Sequence, residues 1–217
     1  AKAGLALFLP AGRYLVTGLS LDKTGIELAG SFERTVIEAT GKSPALTLAA
    51  NSYTRLGGLS FDGGEKNRDS LVRIGGGRVS IERCRFRNSG GSGLQVSGAG
   101  GLISQCTFDK LAAHGISAEG CPGLGVSDCR FSELRQQGLR ATFCDHLAVT
   151  RNLCNDIDAV AVHVTGGIGT LASGNQIGNS KGGIWIEGSK QGGRLSSVVG
   201  NLIAAIRDGA PAAQEGV

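Results

Sequence analysis

The sequence predicts an all-β fold: a right-handed, single-stranded parallel β-helix of about eight coils, each 22–26 residues long. Three observations carry this expectation. Cysteine or asparagine recurs at one register, at Cys84, Cys106, Cys129, Asn152, Asn175 and Asn201, with gaps of 22, 23, 23, 23 and 26 residues. Two positions after each anchor stands Phe86, Phe108, Phe131, Cys154, Ile177 or Ile203, and Leu59 with Phe61 extends the series upstream. Glycine is abundant at 37 residues but lacks the strict every-third spacing of collagen, so it reads as turn material between short apolar runs.

The elements follow in chain order. Residues 15–21, 25–29, 34–37, 45–48 and 56–61 read as strands of two early, less regular turns. In a central coil, Gly93-Leu94-Gln95-Val96-Ser97 alternates with period two, the mark of a strand with one buried face. Glycines around 98–101 allow a turn, residues 102–105 form a second strand, and Cys106 closes a polar corner. Thr107 and Phe108 make a very short third strand. Residues 109–114 loop back to Gly115 and Ile116, where the next coil begins. So thin a unit cannot bury its apolar face alone, so coils must stack and pair in parallel. Strand–crossover–parallel-strand connections take the right hand. Asn152, Asn175 and Asn201 are expected to stack as a corner ladder, in a rod on the order of 40 Å long at ~4.8 Å per coil.

Residues 1–217 thus read as one domain. Neither end carries an amphipathic capping helix, and Glu215-Gly216-Val217 resembles the start of a further coil. The expectation is a piece of a longer array, or ends that take a capping partner or self-associate.

Composition narrows the partners. Net charge is +4, from 22 basic and 18 acidic residues, a slight bias toward anionic polymers. No basic stripe interleaves with stacking aromatics, so nucleic acid is not expected as a partner. No run approaches the roughly 20 apolar residues of a membrane-spanning helix. All six cysteines fall on recurring inward positions, where a thiol acts as a small hydrophobe; Cys121 and Cys144 each lie 15 residues after an anchor. Stacked free thiols are expected, with cross-linking between adjacent coils left open because ~4.8 Å strand spacing is within disulfide reach. The chain opens on Ala1-Lys2-Ala3-Gly4 with no secretory signal pattern.

Leu9-Pro10-Ala11-Gly12-Arg13-Tyr14, Leu59-Ser60-Phe61-Asp62-Gly63-Gly64, and Gly192-Gly193-Arg194-Leu195 running into Val198-Val199-Gly200-Asn201-Leu202 carry a family resemblance. The chain resembles the pectin-lyase-like superfamily, and within it is most similar to bacterial repeat proteins exported by twin-arginine signals. The resemblance implies a periplasmic or secreted location and a fold that commonly handles polysaccharide. It supplies no catalytic set, and the cysteines standing for asparagine in three coils depart from the pattern. In superfamily members that act on sugars, the polymer lies along the first strand of each coil.

Alternation places Arg73, Gln95, Ser117, Arg140, His163 and Trp185 outward on successive first strands, with Glu119 and Glu187 at the next outward position. Arginine suits the carboxylates of a polyanionic sugar and tryptophan suits a pyranose face. The substrate-binding set is therefore Arg73, Gln95, Glu119, Arg140, His163, Trp185 and Glu187. Whether the protein is an enzyme stays open. Glu119 and Glu187 stand three coils apart, ~14 Å, beyond the ~5–9.5 Å of a glycosidase carboxyl pair. A uronate lyase or epimerase needs a base and a cation, which His163 and Arg140 could supply as catalytic residues. No cofactor is expected, except that Asp156 and Asp158, ~6–7 Å apart on an extended segment, could take a calcium ion. Asp62-Gly63-Gly64 reads as a turn, Asp145-His146 opens the second strand of its coil as a turn residue followed by a solvated side chain, and the arginines at 78, 83, 85 and 87 read as a solvated face. The classes left in play are a polysaccharide-binding module, a lyase or epimerase, and a structural spacer or adhesin-like stalk.

Overall fold

The computed structural model describes residues 4–22, 24–49, 53–64, 67–188 and 196–207. The chain winds as a parallel β-solenoid with three strand faces. The second-strand face is a nine-stranded sheet running from Leu5–Leu9 to Ser197–Val199. The first-strand face contains Leu19–Leu21, Leu46–Leu48, Val72–Gly75, Leu94–Ser97, Ile116–Glu119 and Leu139–Thr142. The third contains Gly12–Val16, Thr35–Ala39, Ser60–Asp62, Arg85–Ser89, Thr107–Leu111 and Arg130–Leu134. Two long strands, Leu153–Thr165 and Gln176–Glu187, turn the corner unbroken and join these last two faces into one sheet. Among the described residues the only helical element is a short turn at Phe32–Arg34.

The third strand is longer than alternation suggested. Thr107–Leu111 pairs Thr107, Phe108 and Asp109 with Arg85, Phe86 and Arg87, skips a residue, then pairs Leu111 with Ser89. The skipped positions Asn88, Lys110, Glu133, Asp156 and Asn179 all have φ between 46° and 56°. This left-handed kink, repeated in register on each coil, turns Leu111 and Leu134 into the core, where both are buried.

The predicted corner ladder is present. Asn152 Nδ2 donates to Val126 O at 3.0 Å, and Asn175 Nδ2 donates to Val149 O at 2.9 Å. Each amide oxygen accepts from the backbone of the coil before it: Asn152 Oδ1 from Cys129 N, Asn175 Oδ1 from Asn152 N, and Asn201 Oδ1 from Asn175 N, all at 2.9 Å. The cysteine anchors reproduce half of this. The Cys129 thiol lies 3.7 Å from Ile103 O, the position equivalent to the amide donor's target, and 3.3 Å from Ser127 O. All six cysteines are free and buried. Burial pushes the Cys154 thiol up to about 12 and raises Cys106 well above the ordinary range, so neither is a thiolate at neutral pH.

Phe61, Phe86, Phe108 and Phe131 stack inside the coil with centroid separations of 5.3, 4.8 and 5.0 Å. The expected solvated arginine face is partly overturned. Arg85 Nε bonds Asp109 Oδ1 at 3.0 Å and Arg87 Nε bonds Asp62 Oδ2 at 3.1 Å, with both carboxylates buried. One coil separates each partner, a relation that appears only when coils stack. Asp62 also accepts from Gly64 N at 3.0 Å, forming the turn expected at that motif.

Candidate functional site

The strand register places the outward first-strand residues in columns. Thr47 pairs with Arg73, Arg73 with Gln95, Gln95 with Ser117, Ser117 with Arg140, Arg140 with His163, and His163 with Trp185. The neighbouring column runs Ser97, Glu119, Thr142, Thr165 and Glu187. Inward neighbours such as Val96, Ala118, Ala141 and Val164 are buried, which holds each strand and fixes the outward set.

The row divides into two groups. Arg73 is already engaged: Nη2 bonds Asp69 Oδ1 at 2.8 Å and Nε bonds Gln95 Oε1 at 3.1 Å. Ser117 separates that pair from Arg140, His163 and Trp185, which sit on three consecutive coils. His163 and Trp185 have ring centroids 5.2 Å apart at 31°, and Trp185 is 41% exposed. His163 Nε2 lies 3.3 Å from Thr165 Oγ1 and 3.5 Å from Glu187 Oε1. Arg140 is exposed, and among the described residues no carboxylate pairs with it. Glu119 and Glu187 stand three rungs apart, as their spacing implied. Among the described residues the arrangement offers a cation without a carboxylate partner, an imidazole beside a carboxylate, and an exposed indole along one face.

A family model described as "Right handed beta helix region" matches residues 45–203, well over half of the chain. The chain belongs to the right-handed β-helix family. No curated protein matches it. Among solved structures it is similar to ORF18 of Geobacillus virus E2, at 15% identity and TM-score 0.62, covering 82% of this chain and 46% of that one. It is also similar to WceF of Pantoea stewartii, at 16% identity and TM-score 0.60, covering 88% of this chain and 36% of that one. This β-helix therefore spans less than half the length of either, and the likeness establishes the fold alone. Gly192-Gly193-Arg194-Leu195 and Glu215-Gly216-Val217 lie outside the described residues. Among the described residues no helix is long and apolar enough to cross a membrane.

The β-helix also brings His114 to this face, a residue that alternation missed because it lies in the loop before Ile116–Glu119. Its Nδ1 is buried with no hydrogen-bond partner. Burial first, then the nearby Arg140 charge, lowers its pKa to about 4, against a hydrogen bond the ring donates to Gln137, which acts the other way. The ring is neutral at pH 7. The unfolded chain binds a proton near 6.5 that the folded ring refuses until about 4, so this stability is complete above pH 6.5 and lost as pH falls toward 4. After allowance for the ring's partial exposure the loss is about 2 kcal/mol. His114→Gln should flatten that part of the acid limb in urea titrations at pH 7 and pH 4.5; a limb of unchanged slope would refute the assignment.

The Asp156–Asp158 segment is not the regular extended stretch that the sequence suggested, since Asp156 has φ 56°. Asp156 accepts from Asn155 Nδ2 and Asn179 Nδ2, while Asp158 pairs with Arg207 at 3.0 Å. Both carboxylates thus have protein partners. Among the described residues no cluster of three or more His, Cys, Asp or Glu side chains could hold a metal ion.

Proposed function

We propose that this chain is an exported, periplasmic or secreted β-helix module that binds an anionic polysaccharide along its first-strand face. The observation that carries the reading is the in-register column of Arg140, His163 and Trp185, with the guanidinium unpaired and the indole open. A sugar carboxylate would take Arg140 through two parallel N–H donors, and a pyranose face would rest on Trp185. Strand-borne side chains repeating every ~4.8 Å suit a linear polymer better than a small ligand. Support also comes from WceF, a glycan biofilm modifying enzyme with a tailspike-like parallel β-helix fold.

The second reading, a uronate lyase or epimerase, draws on the adjacency of His163 to Arg140 and Glu187. There His163 would take the proton beside the uronate carboxylate and Arg140 would stabilise the resulting negative charge.

Titrating Trp185 fluorescence with polygalacturonate, alginate and neutral dextran tests both. A saturable change is expected with one acidic polymer, weakened at least about tenfold by Arg140→Ala and by raised salt. Ultraviolet absorbance of unsaturated product, lost at least about a hundredfold in both Arg140→Ala and His163→Ala, would identify the lyase. No saturable change with any polymer would leave a spacer or stalk.

A further inference from the structure

The corner that follows each first strand is built on glycine. Gly76, Gly98, Gly120 and Gly166 hold one position on four coils, with φ of 70°, 65°, 59° and 68°. Their backbone N–H groups donate to the adjacent coil in one repeating series: Gly98 N to Glu119 O, Gly120 N to Thr142 O, Phe143 N to Thr165 O, and Gly166 N to Glu187 O. Phe143 occupies the position on the coil that carries Arg140, with φ 53°. Three residues on, His146 at φ 54° likewise stands where Gly123 and Gly169 hold 62° and 72°.

Other non-glycine residues of this chain, Phe32 among them, take the left-handed region elsewhere, but at this corner the four coils named use glycine, so a bulky aromatic residue here departs from its own column. Core packing does not explain this one, because Phe143 is 62% exposed. The ring lies on the next corner: a Cβ added at Gly166 would come within 2.6 Å of Phe143 Cδ1. Glycine there makes room for the Cδ1–Cε1 side of the ring, and most of the ring stays exposed to solvent. His146 covers Gly169 in the same manner, where an added Cβ would meet Nδ1 at 2.7 Å. Between them, Asp145 is exposed and oriented by Ile168 N, which donates to its Oδ1 at 3.0 Å.

We propose that this corner is a second sugar-contacting platform, in which Phe143 stacks one pyranose ring of the polysaccharide while Asp145 and His146 engage its hydroxyl groups. An exposed aromatic ring flanked by polar side chains matches a sugar ring with an apolar face and hydroxylated edges. Position supports the same occupant. Phe143 directly follows Thr142, the last residue of the strand bearing Arg140, at roughly 10 Å along the chain. The inference rests on the polysaccharide reading above and extends the contact from the strand face around the coil edge.

Two variants test it, with oligomers of polygalacturonate, alginate and dextran as probes. Phe143→Gly restores the residue used on neighbouring coils, so the Tm should hold or rise while affinity, read by Trp185, falls at least about tenfold. Phe143→Trp in a Trp185→Phe background makes the corner indole the sole tryptophan, and its emission should change saturably with the same oligomer. Binding within about twofold of wild type in Phe143→Gly would overturn the platform, as would a Tm several degrees lower, which marks a packing residue. A response at the corner indole, with none at Trp185 in the wild-type protein, would keep the platform and remove the first-strand groove. Silence at both would remove both.

Discussion

Asn175→Leu is expected to detach the C-terminal coils at a cost of about 3–5 kcal/mol. Asn175 is fully buried and makes four side-chain hydrogen bonds. Its Oδ1 accepts from Asn152 N and Asn152 Nδ2 at 2.9 and 3.0 Å, and its Nδ2 donates to Val149 O and Asn201 Oδ1, each at 2.9 Å. Leucine has similar bulk but strands the Asn152 N–H and the Val149 carbonyl in a water-free corner, where each unmet group costs about 1–3 kcal/mol. Solenoid stability is close to a sum of coil and nearest-neighbour interface contributions, so the loss falls locally. Hydrogen exchange should accelerate across Leu171–Ser173, Gln176–Glu187 and Leu202–Ile203, while Leu94–Ser97 stays protected. Uniform protection in the variant, or a global loss below about 1 kcal/mol, would show that the ladder is dispensable.

Phe108→Ala carries a comparable expected cost, about 3–5 kcal/mol. The ring is fully buried between Phe86 and Phe131, at centroid distances of 4.8 and 5.0 Å. Each neighbour is pinned by its own paired strand, so the stack cannot close over a missing ring and the cavity persists. The ring also lies against Gly93, where an added Cβ would meet its Cδ1 at 2.8 Å, so the start of its own coil loses contact as well. Phe108→Leu retains most of the volume and should cost under half as much. Equal urea midpoints for the alanine and leucine variants would show that the ladder tolerates a void.

The difference between these ladders and the ion pairs shows what a sequence can disclose. The ladders were legible because each strand buries alternate residues and each coil repeats the choice. Anchor spacing of 22 or 23 residues from Cys84 to Asn175 then leaves little freedom in register, and the Arg140–His163–Trp185 column follows from the same arithmetic. The strand ends were less legible. The left-handed residue at Lys110 extends its strand to Leu111, and nothing in the residue type announces it. The partners of Arg85 and Arg87 were hidden for another reason, since Asp109 and Asp62 are a full coil away and meet them only across the stacked face.

By itself the sequence determined the architecture, the inward and outward sets, the asparagine corner and the candidate row, because period-two burial and a near-constant repeat are local rules applied over and over. Tertiary structure alone decided which loop residues approach that row, such as His114 and Gln137, and which charged groups are already satisfied. It also decided that Phe143 packs against Gly166. Those outcomes depend on loop paths and backbone φ values set by packing between coils, and no single coil contains that information.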